Sequence, residues 1–134
     1  MLCLYTLGSH LSYWFSITAG VRQAGCLSPI LFAIHMDVLI SKLKRSGHGC
    51  RLFGEYNGCI LYADDIMLLS HSLNAMQVML KICDDFAIDY DLKVNTEKSV
   101  AMRIGARHNV VCEPLNLAGK KLQFVQSLKY LGVL

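Results

Sequence analysis

Residues 59–69 read CILYADDIMLL, two adjacent carboxylates, Asp64 and Asp65, set between two apolar runs. In a strand successive side chains point to opposite faces, so Tyr62 and Asp64 are expected on one face and Ala63 and Asp65 on the other. One carboxylate should then dominate any site there. Both runs, Cys59 to Ala63 and Ile66 to Leu69, are apolar on both faces, which reads as a central, covered hairpin. Charges are tolerated at such a tip only if water, a cation or a metal reaches them. Two readings follow from these residues alone. The pair is a solvated turn, for which Asp is a common residue, or it offers hard oxygen ligands to Mg²⁺, which typically takes one or two protein carboxylates and fills its other positions with phosphates and waters.

Working outward, CRLFGEY (50–56) and CILYA (59–63) read as strands joined at Asn57-Gly58, the strongest short hairpin signal. With a second tight connection at Asp64 and Asp65 before IMLLS, the expectation is a three-stranded meander. SLNAMQVMLKICDDFAIDYD (72–91) places Leu73, Met76, Leu80, Cys83, Ala87 and Tyr90 at steps of three and four, an amphipathic helix. SVAMRIG (99–105) reads as a strand, PLNLAGKKLQFV (114–125) as a hairpin around Gly119, and LKYLGVL (128–134) as a last short strand. Upstream, SPILFAIHMDVLISKLKRSG (28–47) carries helix signals. Ser28 can cap, Pro29 suits the first helical position, and Lys42, Lys44 and Arg45 suit the last turn before Gly47. Leu27, Ile30, Leu31, Ile34 and Val38 have the spacing of its buried face. SYWFSIT (12–18) alternates as a half-buried strand does, and GVRQAGC (20–26) is a loop. Helices segregated to one face of an antiparallel sheet give an α+β class.

The 134 residues suit one domain, and a chain 54% hydrophobic and 17% charged is expected to fold. No apolar run reaches the roughly 18 residues of a membrane span. The apolar opening lacks the basic flank of a signal peptide and reads as part of the domain. Thirteen basic against ten acidic residues leave a net charge of +3, which permits a polyanionic partner without demanding one. The six cysteines show no C-x-x-C pair, so free thiols in a reducing, intracellular compartment are expected, with nothing to choose between nucleus and cytoplasm. His48 and Cys50 lie close in HGC, which reads as a Gly-rich turn after a helix.

YADD at 62–65, GVRQAGCLSPILF at 20–32, LKVNTEKS at 92–99 and KYLGV at 129–133 occur in an order and at spacings that resemble the palm of reverse transcriptases, most of all those of non-LTR, LINE-type retrotransposons. The resemblance covers nearly the whole chain. It implies a palm-type antiparallel sheet with two helices on one face, and Mg²⁺-dependent, or alternatively Mn²⁺-dependent, nucleotidyl transfer by a two-metal mechanism. Its implied partners are an RNA template, a DNA primer and deoxynucleoside triphosphates. Asp64 matches the metal-binding aspartate of the family's Y-x-D-D box and Asp65 its second carboxylate. Tyr62 would line the floor near the primer terminus. Gly20 opens the loop that contacts nucleotide and template, with Arg22 and Gln23 as its polar contacts; Ala24 stands where Gly is usual. Lys98 matches a lysine that protonates the pyrophosphate leaving group, while Asn95 reads as the residue setting its turn. Tyr130, Leu131 and Gly132 match the primer grip; Tyr130 and Leu131 read equally as core.

A two-metal site needs a further carboxylate, yet residues 1–36 contain no Asp or Glu, and neither Asp37 nor Glu55 falls where the family places a ligand. The expectation is a palm fragment lacking fingers, first catalytic aspartate and thumb, partnered by those parts in a full-length element and a poor polymerase alone. Two alternatives stand beside it. One is a non-catalytic nucleic-acid-binding module, with Phe53, Tyr56 and Phe124 as stacking residues. The other is a degenerate retroelement relic.

Overall fold

A computed structural model describes residues 2–3, 6–7, 10–11, 13, 15–16, 27–106, 110 and 112–130. The chain divides into two compact units, Met1–His35 and Met36–Leu134. In the first, strand β1 (Leu2–Cys3) pairs antiparallel with β4 (Phe15–Ser16), and β2 (Thr6–Leu7) pairs with β3 (His10–Leu11). Of the strand expected over 12–18, Phe15 and Ser16 are in β4; the loop at 20–26 lies outside the described residues.

Helix α1 runs Ser28–Arg45, with Lys42, Lys44 and Arg45 in its last turn as expected. Gly47, at φ 74°, stops it in the left-handed conformation where glycine carries no Cβ penalty. Its packing face differs from expectation. Leu27, Ile30, Leu31, Ile34 and Val38 are all exposed, and Met36, Leu39 and Leu43 are buried instead. At roughly 100° per residue the second set lies on the opposite side of the helix from the first. Both sets have helical spacing, so periodicity alone does not choose between them.

Helix α2 spans Leu73–Asp89. The Ser72 side chain accepts a hydrogen bond from the Ala75 N–H at 3.2 Å, satisfying one of the donors the first turn leaves open. At the other end Leu92 N–H donates to Ala87 O at 2.8 Å and Asp91 N–H to Ile88 O at 3.3 Å. This is a Schellman closure, with Asp91 at φ 52° in the position glycine favours. Ala75, Met79, Leu80, Cys83, Phe86 and Ala87 are buried, a broader face than expected, and Tyr90 is 38% exposed. Lys42 joins the helices through an ion pair with Asp89 at 3.2 Å and by lying 5.6 Å from the Phe86 ring centre.

Beyond α1, β5 (Arg51–Leu52) and β6 (Glu55–Tyr56) form a hairpin, and β7 (Cys59–Tyr62) and β8 (Asp65–Leu68) form another. The expected strand over 50–56 is thus folded in two. Its turn is Phe53-Gly54, both at positive φ (52° and 86°), and Asn57-Gly58 connects the hairpins rather than closing one. Leu69 N–H to Gly58 O extends the second hairpin by one position, and Cys50 N–H to Leu69 O ties the two together. A third hairpin, β10 (Asn116–Leu117) with β11 (Lys120–Lys121), turns at Ala118-Gly119 as expected. Strand β9 (Val100–Met102) pairs parallel with β12 (Gln123–Val125).

The class is mixed α+β, but among the described residues the strands form six two-stranded ladders, one of them parallel, in place of the single antiparallel sheet expected. A core of Leu80, Leu115, Leu117 and Leu122, with Leu68, Leu73, Met76, Val94, Ala101 and Phe124 against it, joins α2 to β8, β9 and the two C-terminal ladders. Gln77 clamps this junction, donating to Asn116 O at 2.9 Å and accepting from Asn116 N–H at 2.8 Å. The described cysteines Cys50, Cys59, Cys83 and Cys112 are free thiols. Burial pushes the Cys83 thiol up to about 12.

Candidate active site

Tyr62 pairs directly with Asp65, so the β7–β8 loop is two residues, Ala63 and Asp64. The turn lies one residue earlier than expected, and that shift changes the faces. Asp64 stands in the loop itself, while Asp65 opens β8 on the same face as Tyr62, Ile60 and Met67. Tyr62 therefore shares a face with Asp65 and not with Asp64. Ala63 takes φ 51°, a left-handed conformation that costs a residue with a Cβ about 1–2 kcal/mol. Such strain persists only where surrounding structure imposes it, and it gathers at functional sites.

The hairpin is covered on one face rather than two. Cys59, Leu61 and Leu68 are half-buried and Leu68 enters the core, with Ile66 near the tip exposed, whereas on the other face Ile60 and Tyr62 are 45% and 62% exposed and Met67 is half-buried. Both aspartates are exposed, and neither has a hydrogen-bond or ion-pair partner among the described residues. Their oxygens are free to accept from water or to bind a cation. No three His, Cys, Asp or Glu side chains among the described residues converge as a metal site. Two adjacent, unpaired carboxylates fit the protein's share of a Mg²⁺ site, whose other positions go to phosphates and waters. They do not make an all-protein cage.

Tyr130, 65 residues further along the sequence than Asp65, is close enough to this hairpin to feel its charge. Its hydroxyl is closed off from solvent and lacks a partner among the described residues. Loss of solvent, followed by the Asp65 carboxylate and, at the high pH where it ionises, the Cys59 thiolate, raises it above the ordinary phenol range. Leu131 and Gly132, the rest of the expected grip, lie outside the described residues, as do Gly20, Arg22, Gln23 and Ala24.

Asn95 sets its turn as expected: its Oδ1 accepts from the backbone N–H groups of Glu97 and Lys98, each at 3.2 Å. Lys98 is exposed on that turn and forms no ion pair with either aspartate. The approach of Tyr130 to Asp65 had no signal in the sequence, because nothing local links positions so far apart. The strain at Ala63 could have been anticipated from the register, since a two-residue loop demands positive φ.

The fold thus presents a hairpin tipped by two exposed carboxylates and rooted in an α+β core, and the chain as a whole carries a family's pattern. Residues 2–134 match the family model described as "Reverse transcriptase (RNA-dependent DNA polymerase)", and the chain belongs to that family. It is 30% identical over 122 residues to the Retrovirus-related Pol polyprotein from type-2 retrotransposable element R2DM of Drosophila melanogaster, a match covering 85% of this chain and 11% of that polyprotein. It is 34% identical over 67 residues to the Retrovirus-related Pol polyprotein from type-1 retrotransposable element R2 of Nasonia vitripennis, covering 50% of this chain and 6% of the relative. The chain spans about a tenth of the length of these curated relatives or less. The expected kinship with the reverse transcriptases of non-LTR retrotransposons is borne out by these matches.

Proposed function

We propose that this chain is the palm portion of a retrotransposon reverse transcriptase, adding deoxynucleotides to a DNA primer on an RNA template. The observation that carries the reading is the Asp64–Asp65 pair, unpaired and exposed at the tip of a hairpin whose root enters the core, within a chain matched to the family throughout. In the reaction the primer 3′ oxygen bonds to the α-phosphorus of the incoming nucleotide as the bond to the pyrophosphate oxygen breaks. Asp64 and Asp65 would hold Mg²⁺, or alternatively Mn²⁺, and in a two-metal arrangement the bound cations supply charge stabilisation at the attacking and leaving oxygens.

The remaining roles belong to this chain's side chains and backbone. Tyr62, on the exposed face beside Asp65, supports the primer terminus. Tyr130, with Leu131 and Gly132, grips the primer. Gly20, Arg22 and Gln23 contact nucleotide and template. Lys98 gives a proton to the departing pyrophosphate, work that suits an ammonium beside an emerging anion. The proposed setting is a reducing, intracellular one, an expectation from the scattered cysteines of the sequence. No helix among the described residues is long and apolar enough to cross a membrane.

The third carboxylate has no candidate in residues 1–36. The 134 residues alone are accordingly expected to extend a primer poorly. A primer extension assay on an RNA template with Mg²⁺ and deoxynucleotides tests both halves of the reading. Efficient extension by the isolated chain, abolished by Asp64→Asn, would refute the proposed dependence on further polypeptide. In a chimera with residues 2–134 in place of the matching segment of the Drosophila relative, extension is expected, and Asp64→Asn should lower it at least about a hundredfold, the scale of losing a main electrostatic contact to the transition state. Undiminished extension by the chimera carrying Asp64→Asn would overturn the metal assignment.

A further inference from the structure

The three aromatic residues that the sequence offers for stacking have separate fates in the fold. Tyr56 is packed down: a Cβ built on Gly58 would lie 2.6 Å from its hydroxyl oxygen, and one on Gly49 would lie 3.0 Å from its ring. Phe124 packs against the leucine core. Phe53 alone is presented, 97% exposed at the tip of the β5–β6 hairpin.

Three features set this tip apart from an incidental surface phenylalanine. Phe53 occupies the first central position of a two-residue turn at φ 52°, where Asn, Asp or Gly is favoured and a bulky ring is penalised. The hairpin root is locked by the Tyr56 ring against two glycines and by the Asn57 N–H to Cys50 O bond of 2.9 Å, so the ring is held out on a rigid mount. Arg51 reaches across the turn, its guanidinium 3.5 Å from Gly54 O, which puts a cation on the same hairpin as the ring. Leu52, 59% exposed, is its apolar neighbour. One ring offers about 150–250 Å², well short of the roughly 800 Å² per partner in a stable protein interface. A single nucleobase has the matching size, and its phosphate meets the arginine.

We propose that the β5–β6 tip is a stacking site for an unpaired base of single-stranded RNA, with the Phe53 ring on the base and Arg51 on the adjoining phosphate. The choice of RNA rests on the reverse transcriptase reading and its RNA template; the stacking geometry stands independently of catalysis. Such a site is tolerant of sequence, because every base has a π-face. It lies on the hairpin before the carboxylate hairpin and extends the nucleic-acid contact beyond the Asp64–Asp65 tip.

The test is fluorescence anisotropy of a labelled single-stranded RNA oligonucleotide with the full chain, without metal or nucleotides, so that its outcome is independent of primer extension. Phe53→Asn removes the ring while supplying a residue the turn prefers, so the variant is expected to melt no lower than the parent yet bind RNA about tenfold or more weakly. Phe53→Trp should retain binding, and an oligonucleotide with abasic positions should lose most of the Phe53 effect. Equal binding by Phe53→Asn and the parent, no measurable RNA binding by the parent, or a loss confined to a DNA oligonucleotide would each overturn the proposal. So would a change in sedimentation behaviour on Phe53→Asn with RNA binding intact, which would make the tip a protein contact.

Discussion

Leu43→Ala compared with Ile34→Ala tests which side of α1 packs. Leu43 is 0% exposed, so truncation removes a full leucine transfer term of about 2 kcal/mol and adds a cavity penalty, for a total of about 3 kcal/mol. Ile34 is 59% exposed, which leaves less than half of an isoleucine's burial to lose, about 1 kcal/mol. Alanine's better helix propensity returns part of that, for a net cost of about 0.5 kcal/mol. For a domain of this size, between the small and the large ends of the scale, each kcal/mol moves Tm by about 4 °C. Leu43→Ala should therefore melt at least about 10 °C lower, and Ile34→Ala within about 4 °C of the parent. Differential scanning calorimetry reads both, with urea titration at constant m as the check that the unfolding surface is unchanged. Equal destabilisation by the two variants, or a larger effect at Ile34, would show that the 27–38 stripe packs and would refute the orientation of α1.

Four further outcomes follow from individual residues. Asp91→Gly at the end of α2 and Ala63→Gly at the carboxylate turn each relieve a positive φ and should raise stability by up to about 1 kcal/mol in thermal melts, so a lower Tm for either would contradict the backbone assigned there. Gln77→Ala deletes both side-chain bonds to the Asn116 backbone and should cost about 1–3 kcal/mol, read from urea unfolding midpoints. Lys42→Met breaks an ion pair whose side chains are 37% and 59% exposed and should shift stability by less than about 1 kcal/mol; a larger loss would mean that the pair is far better shielded.

The Cys83 thiol, raised by burial from 9.0 to about 12, makes stability depend on pH in a defined direction. Above pH 9 the unfolded chain releases that proton while the native state keeps it, so unfolding is favoured as pH rises. The contribution is whole below about pH 9 and is lost toward pH 12, by at most about 1.4 kcal/mol per pH unit. Urea midpoints at pH 8 and pH 10 for the parent and for Cys83→Ala measure it, and an identical pH trend in both would refute the linkage.

Elements written in short-range chemistry are legible in the amino-acid sequence. Helix α1 stands within a residue of where Pro29 and its basic last turn place it, and α2 where its spacing of three and four places it, as does the Ala118-Gly119 hairpin. The Asn95 turn follows from a side chain that bonds its own backbone two and three residues on. The carboxylate pair, its hairpin mount and the family are likewise readable, because they reside in contiguous motifs. Register is not. The turns fall at Phe53-Gly54 and at Ala63-Asp64 because cross-strand pairing and packing outweigh the Asn-Gly signal, and a one-residue shift exchanges the faces of a strand.

Residues in local dialogue thus determined the helices, the turn chemistry and the acidic tip by themselves. Tertiary structure alone decided which of the two apolar stripes of α1 is buried, that Asp65 and not Asp64 shares the Tyr62 face, and that the Tyr130 hydroxyl feels the charge of Asp65. It also sorted Tyr56 inward and Phe53 outward on one hairpin. The physical reason is common to all four. Spacing and propensity act within a few residues, whereas burial and register are set by whatever surface the rest of the chain brings opposite.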